Sequence, residues 1–246
     1  MRSVLRSLAG FSLIVLGACS SITDPTDPLF RRTPRPPPPP THPIILFVHG
    51  WNANASTWNT MIGRFETDGW QSSELSAFSY DFSKSNATTA GIIKTKVDSI
   101  IKARGVTQVA IVTHSMGTLS ARYYVRNLGG DGKVSALISL GGANHGTQTA
   151  LLCFQVSCQQ MWPNSSFLAA LNATDETWGT PRYATWYSAC DEVIKPYTST
   201  ILNDAVANTQ TGTCMQHSQL HEDVTVYGQV RDFIYQPAAA AIVAMR

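Results

Sequence analysis

Ser115 stands where an apolar, β-branched run stops abruptly: Val109-Ala110-Ile111-Val112-Thr113-His114-Ser115-Met116-Gly117, with a helix-like segment from Leu119 to Leu128 directly after it. A strand, a one-residue turn and a helix form the strained turn that lifts a serine hydroxyl clear of a sheet edge, and a hydroxyl so placed is a nucleophile awaiting a base. Gly117, two residues on, lacks the Cβ that would keep strand and helix apart. Thr113, two residues before the serine, is bulkier than the glycine such a crowded turn usually holds. An isolated Ser-x-Gly also ends ordinary core strands, so the reading gains its weight from the rest of the chain.

A serine nucleophile needs an imidazole to take its proton and a carboxylate to orient the imidazole. On a parallel sheet these follow in the order serine, acid, histidine, each at the C-terminal end of a strand. The chain has six histidines. His42 precedes the first strand, His49 and His114 flank their own motifs, and His145 follows too soon to leave room for an acid. His217 and His221 lie in the loop Gln216-His217-Ser218-Gln219-Leu220-His221, after the last strand, and either fits. Asp191 follows a strand directly and has Glu192 as its adjacent rival. Asp175 and Asp204 sit in connecting segments and are weaker candidates.

The elements that must hold these groups alternate. Pro43 to Val48 is a continuous apolar run, read as a strand buried on both faces of a parallel sheet. It closes in His49-Gly50-Trp51-Asn52, a turn resembling the oxyanion loop of α/β-hydrolases, in which the amide after the glycine and the amide after the nucleophile hold a developing oxyanion. Those amides are Trp51 and Met116 here, and His49 is expected to brace the loop. Ser56 to Asp68 reads as a helix with Trp58, Met61, Ile62 and Phe65 on one face. Leu75 to Tyr80 is a strand. A long helix starts near Asn86 or Thr88 and stops at Gly105, with Ile92, Ile93, Val97, Ile100 and Ile101 inward. Val134 to Leu140 is the strand after the serine helix, and it ends in Gly141-Gly142. Leu151 to Trp178 breaks the rhythm as an excursion over the active-site face, either a lid or pocket wall or a disulfide-pinned surface loop. Tyr183 to Ser188 is a strand, Thr198 to Asn203 a short helix, Val206 to Cys214 the last strand, and Glu222 to Tyr235 the final helix. Strands alternating with helices give an α/β fold, a mostly parallel, doubly wound sheet with helices on both faces.

The chain of 246 residues, 43% of them hydrophobic, suffices for one medium domain. Eighteen basic against 16 acidic residues give +2, no electrostatic case for a nucleic-acid partner. Only 14% of residues are charged, a composition common among secreted proteins. Arg2 and Arg6 precede an apolar stretch, Leu8 to Leu16, too short to span a bilayer stably. Its end, Leu16-Gly17-Ala18-Cys19, resembles a bacterial lipobox, so residues 1–18 are expected to be a lipoprotein signal peptide and Cys19 the lipidated N-terminus, anchored in the cell envelope. Ser20 rather than Asp after the cysteine implies the outer membrane if the source is Gram-negative. The alternative is an ordinary signal peptide and secretion. The proline-rich stretch to His42 reads as an extended tether of about 3.1 Å per residue, leaving residues 43–246 as the catalytic domain.

Four stretches together, Phe47-Val48-His49-Gly50, Val112 to Gly117, Leu140 to Asn144 and Trp186 to Asp191, resemble the small secreted bacterial lipases of lipase class 2, compact α/β-hydrolases with a reduced sheet. Leu220-His221-Glu222-Asp223, running on to Phe233, is similar to that family's catalytic-histidine loop and last helix. The resemblance covers roughly Pro43 to Tyr235. It implies Ser115 as nucleophile, Asp191 as acid, His221 as base, and the amides of Trp51 and Met116 as the oxyanion hole. It implies an ester or lipid substrate and hydrolysis through an acyl-enzyme; no redox or nucleotide cofactor, no metal-ligand set and a monomer are expected, with calcium dependence left open. Besides Thr113, the acidic pair Glu222-Asp223 departs from the more apolar sequence expected after the histidine. With Cys19 set aside, four cysteines remain, and an exported chain favours disulfides. The pairing expected is Cys153–Cys158 and Cys190–Cys214, the second joining the strand end that carries Asp191 to the segment leading into the histidine loop. A short-chain esterase or polyesterase, an acyltransferase on the same machinery, and a non-catalytic surface-displayed binding module are the competing functions.

Overall fold

The computed structural model describes residues 40–235. The expected signal peptide, Cys19 and nearly all of the tether lie outside the described residues. Six strands form one sheet: β1 (Ile45–Val48), β2 (Leu75–Ala77), β3 (Val109–His114), β4 (Val134–Leu140), β5 (Arg182–Tyr187) and β6 (Ala207–Gln210). Their order is β2-β1-β3-β4-β5-β6, and every pairing is parallel.

Alternation along the strands feeds two cores. In β1, Leu46 and Val48 face one side and Ile45 and Phe47 the other, and all four are fully buried. The first core joins Ile111 and Leu137 to helices α2 (Asn86–Arg104) and α3 (Gly117–Asn127) through Ile93, Val97, Leu119 and Tyr124. The second joins Val112, Ile138 and Trp186 to α1 (Asn59–Thr67) and, through Val226, Val230 and Phe233, to α6 (Val224–Tyr235). The result is the doubly wound, three-layer α/β fold expected. Among the described residues no helix is long and apolar enough to cross a membrane.

Local signals set several boundaries. Ser85, not Asn86 or Thr88, caps α2, its side chain accepting from the Thr88 amide, and Gly105 ends that helix in the left-handed conformation. The expected strand over Leu75 to Tyr80 pairs only as far as Ala77, because β1 ends there and Tyr80 turns in to stack on His49 at 3.9 Å. The last strand is likewise shorter than expected: pairing stops at Gln210, and the chain from there to Cys214 is held by a disulfide to Cys190. The helix expected from Thr198 is a 3-10 turn, Tyr197–Thr200.

Between β4 and β5 the excursion is a series of short pieces: a 3-10 turn (Gln148–Leu152), α4 (Val156–Gln160) and α5 (Ser166–Asn172). Arg122 and Arg126 on α3 secure the far end of this excursion. Arg122 is buried and donates to the Glu176 carbonyl at 2.9 Å and to Asn172 Oδ1 at 2.8 Å, while Arg126 donates to the carbonyls of Ala173 and Asp175. Burial pushes the Arg122 guanidinium down to about 10.

A core position and an exposed one should respond differently to truncation. Ile111→Ala, in the fully buried centre of β3, should cost about 2–5 kcal/mol. Val206→Ala, at a site 63% exposed, should change stability by less than about 0.5 kcal/mol. Urea unfolding of the two variants beside the parent chain measures the difference.

Candidate active site

The strand order reverses between β1 and β3, and the crevice at such a point, beyond the carboxyl ends of the strands, is where open α/β sheets bind ligands. β1 delivers His49-Gly50 there and β3 delivers His114-Ser115. Ser115 has φ 56, a left-handed conformation unusual for a residue with a side chain, and it is buried. Two glycines allow it. A Cβ on Gly50 would stand 2.7 Å from Ser115 Cβ, and one on Gly117 would collide with the carbonyls of His49 and Val48. Gly117 thus accommodates the end of β1 as well as the strand it follows. Thr113 fits this crowded turn by hydrogen bonding: its Oγ1 donates to the Ile138 carbonyl at 2.7 Å and lies 2.7 Å from Thr118 Oγ1.

The segments His49–Asn52 and His114–Gly117 are in contact through Gly50. Among the described residues neither the Trp51 nor the Met116 amide has a protein acceptor. His49 braces its own loop: Nδ1 donates to the Gly50 carbonyl at 2.8 Å, and Nε2 accepts from the Tyr80 amide at 3.3 Å. Both nitrogens are therefore engaged, and the ring has no role left in proton transfer.

Asp191 lies past the end of β5, almost wholly buried. Its Oδ1 accepts from the amides of Val193 and Ile194 at 2.9 and 2.8 Å, which fixes the carboxylate and turns Oδ2 outward. Oδ2 accepts from His217 Nδ1 at 2.8 Å. The base expected from the sequence was His221, but the histidine that Asp191 pairs with is His217. The reason is tethering. Cys190–Cys214 ties the acid loop to the histidine loop, Ser188 Oγ accepts from the Met215 amide at 3.0 Å, and Glu192 accepts from the His217 amide at 2.9 Å. These links bring residues 214–217 to the acid, and His221 lies one 3-10 turn further on. Glu192, the rival acid, thus holds the histidine by its backbone. With Nδ1 donating to Asp191, Nε2 carries the lone pair, and this buried atom has no protein partner among the described residues.

His221 packs its ring 4.7 Å from His114 and 5.9 Å from Trp58. The His114 ring lies 4.4 Å from that of His217, tilted by 41°, and its Nε2 donates to the His217 carbonyl at 3.1 Å, a support that spacing alone did not reveal. Gly141, at φ 56, leaves room for the His217 ring: a Cβ there would lie 3.1 Å from it.

Ser115, His114, His217 and His221 line one cavity of about 590 Å³. Its other walls are the oxyanion loop at Trp51 and the excursion, including Leu152, Met161 and both cysteines of the Cys153–Cys158 disulfide, with Val193 and Ile194 from the acid loop. Both expected disulfides are present. The excursion is therefore pocket wall and disulfide-pinned loop at once. No Asp, Glu, Lys or Arg occurs in residues 148–174, and Leu152 and Phe154 project into solvent, 89% and 76% exposed.

A model of the family described as Lipase (class 2) matches residues 41–231. Among solved structures, the mature form of the Bacillus licheniformis lipase BlEst2 superposes with a TM-score of 0.68 at 16% identity, over 82% of this chain and 94% of that one. Aspergillus fumigatus lipase B gives 0.69 at 17%, over 80% of this chain and 53% of the fungal one. A Listeria innocua protein gives 0.60 at 14%, over 79% and 94%. At such identities the structures speak for the fold, and the family match speaks for kinship.

The buried histidines set a direction for pH. Burial, with His217 and His221 close by, holds His114 well below the ordinary imidazole value. Burial lowers His221 against the opposing pull of Glu222, and lowers His49 against the Gly50 carbonyl. Below about pH 6.5 these groups protonate in the unfolded chain before they do in the folded one, so unfolding takes up protons and stability falls with pH. The melting temperature should drop between pH 7 and pH 5, and His114→Gln should flatten that slope. Melts of both proteins across this range measure it, and an identical slope would refute the assignment to His114.

Proposed function

Because the chain belongs to the class 2 lipase family and is thereby a carboxylic ester hydrolase, we propose that it cleaves esters of apolar acyl groups with Ser115 as nucleophile, His217 as base and Asp191 as orienting acid. The observation that carries this reading is the 2.8 Å hydrogen bond from His217 Nδ1 to Asp191, made beside a left-handed Ser115 in one cavity.

Each group has a defined task. His217 Nε2 takes the proton as Ser115 Oγ attacks the ester carbonyl. The carbonyl oxygen becomes an oxyanion that accepts from the amides of Trp51 and Met116. Collapse breaks the bond to the alcohol, which leaves with the proton from His217, and the acyl group remains on Ser115. Water then gives a proton to His217 as its oxygen attacks the acyl carbon, and collapse breaks the bond to Ser115 Oγ, which takes that proton back as the acid leaves. Asp191 stays ionised throughout and stabilises the imidazolium while it exists. The uncharged excursion, with Leu152 and Phe154 exposed beside the cavity, supports an acyl or lipid substrate over a charged one.

The same reading extends to the cell envelope. A lipid-anchored, exported enzyme is supported by Leu16-Gly17-Ala18-Cys19 and by two disulfides, which form and persist in oxidising compartments.

Hydrolysis of a matched p-nitrophenyl ester series, short to long acyl, by soluble protein starting at Ser20 tests the assignment. Ser115→Ala and His217→Ala should each lower kcat by at least about 10²–10⁴-fold at every chain length. His221→Ala should cost far less. The reverse ranking of the two histidine variants would return the base to His221. The chain-length optimum separates a lipase from a short-chain esterase.

A further inference from the structure

The Cys153–Cys158 disulfide closes a short loop over the cavity, with Phe154, Gln155, Val156 and Ser157 between the cysteines. Phe154 and Val156 face solvent, while Gln155 reaches across to the oxyanion loop. Its Oε1 accepts from the Trp51 indole Nε1 at 2.8 Å, a bond between residues 104 positions apart. The Trp51 ring also meets Phe82 edge to face at 5.7 Å.

Trp51 is where an anchor matters. Its backbone follows Gly50, which presses against Ser115, and precedes Asn52, held at φ 54. Past the end of β1 no sheet ladder orients the Trp51 peptide, and its amide has no protein acceptor among the described residues. That peptide plane is held on its carbonyl side by His49 Nδ1, which donates to the Gly50 carbonyl at 2.8 Å, and on its Cα side by what grips the Trp51 side chain. We infer that Gln155 is a positioning residue for the oxyanion hole, and that the disulfide serves the reaction by holding Gln155 against Trp51. This rests on the Ser115 acyl-enzyme reading above.

The clamp and a plain pocket wall differ in kinetics. An oxyanion donor acts on the tetrahedral state common to every substrate, so loosening it lowers kcat by one factor whatever the acyl chain. A wall touches the acyl chain and alters KM according to its length. Removing one neutral hydrogen bond should cost kcat about three- to tenfold.

The experiment uses the ester series with Ser115→Ala, Gln155→Leu, Gln155→Glu, Trp51→Phe, the Trp51→Phe/Gln155→Leu double variant, and Cys153→Ser/Cys158→Ser. Gln155→Leu should lower kcat three- to tenfold uniformly along the series with KM little changed, and Gln155→Glu, which keeps an acceptor, should recover most of the rate. Trp51→Phe keeps its backbone amide and should match the loss. The double variant should be no slower than either single one, because both remove the same bond, and the cysteine variant should lose kcat in the same uniform way. Unchanged kcat in Gln155→Leu, a loss confined to chain-length-dependent KM, or multiplicative losses in the double variant would overturn the clamp alone. Full activity of Ser115→Ala would overturn the acyl-enzyme reading, and the clamp with it.

Discussion

The hydrogen bond between Asp191 and His217 depends on holding together two loops that the sheet leaves free. Asp191 comes from the end of β5 and His217 from the segment after β6, and neither is fixed by strand pairing. A covalent link, a serine hydroxyl and a glutamate side chain span the gap: Cys190–Cys214, Ser188 to the Met215 amide, and Glu192 to the His217 amide. The disulfide closes a span of 24 residues, so in the chain-entropy picture it stabilises the fold by about 3 kcal/mol. Its position adds function to that stability, since the chain it restrains carries the pair.

The serine side of the cavity is held by close packing. Ser115 adopts its left-handed backbone because Gly50 and Gly117 let β1, β3 and α3 meet without Cβ atoms between them. Around this strained residue His49 is engaged with Gly50 and Tyr80, and His114 with the His217 carbonyl. Among the described residues neither His217 Nε2 nor His221 Nδ1 has a protein partner, and of these two rings it is His217 that Asp191 holds. A buried basic nitrogen without a protein partner costs stability unless something uses it, and a proton from the serine is what the cavity offers.

The excursion between β4 and β5 completes the cavity without belonging to the sheet. Arg122 and Arg126 grip its far end through backbone carbonyls, and the short disulfide and Gln155 hold its near end. Having no charged residue over 148–174, it sets an apolar wall beside a polar catalytic line.

Sequence by itself determined the sheet and the turn that carries Ser115, the proposed nucleophile. β-branched runs ending in His-Gly and His-Ser-Met-Gly are local signals, and the 3.6-residue spacing of α1, α2 and α6 states which face each helix buries. Asp191, the proposed acid, was a candidate for the same reason, since it follows a strand. The proposed base was not legible. His217 and His221 share one loop, and spacing cannot say which faces Asp191. That depends on contacts between residues more than twenty positions apart, formed only when Cys214 meets Cys190 and Glu192 meets the His217 amide. The same holds for Gln155, one polar residue in an irregular segment, which gains a role only when folding carries it across 104 positions to Trp51. Local periodicity is written in the order of residues, whereas the partner of a loop side chain is decided by which loops the core brings to one edge.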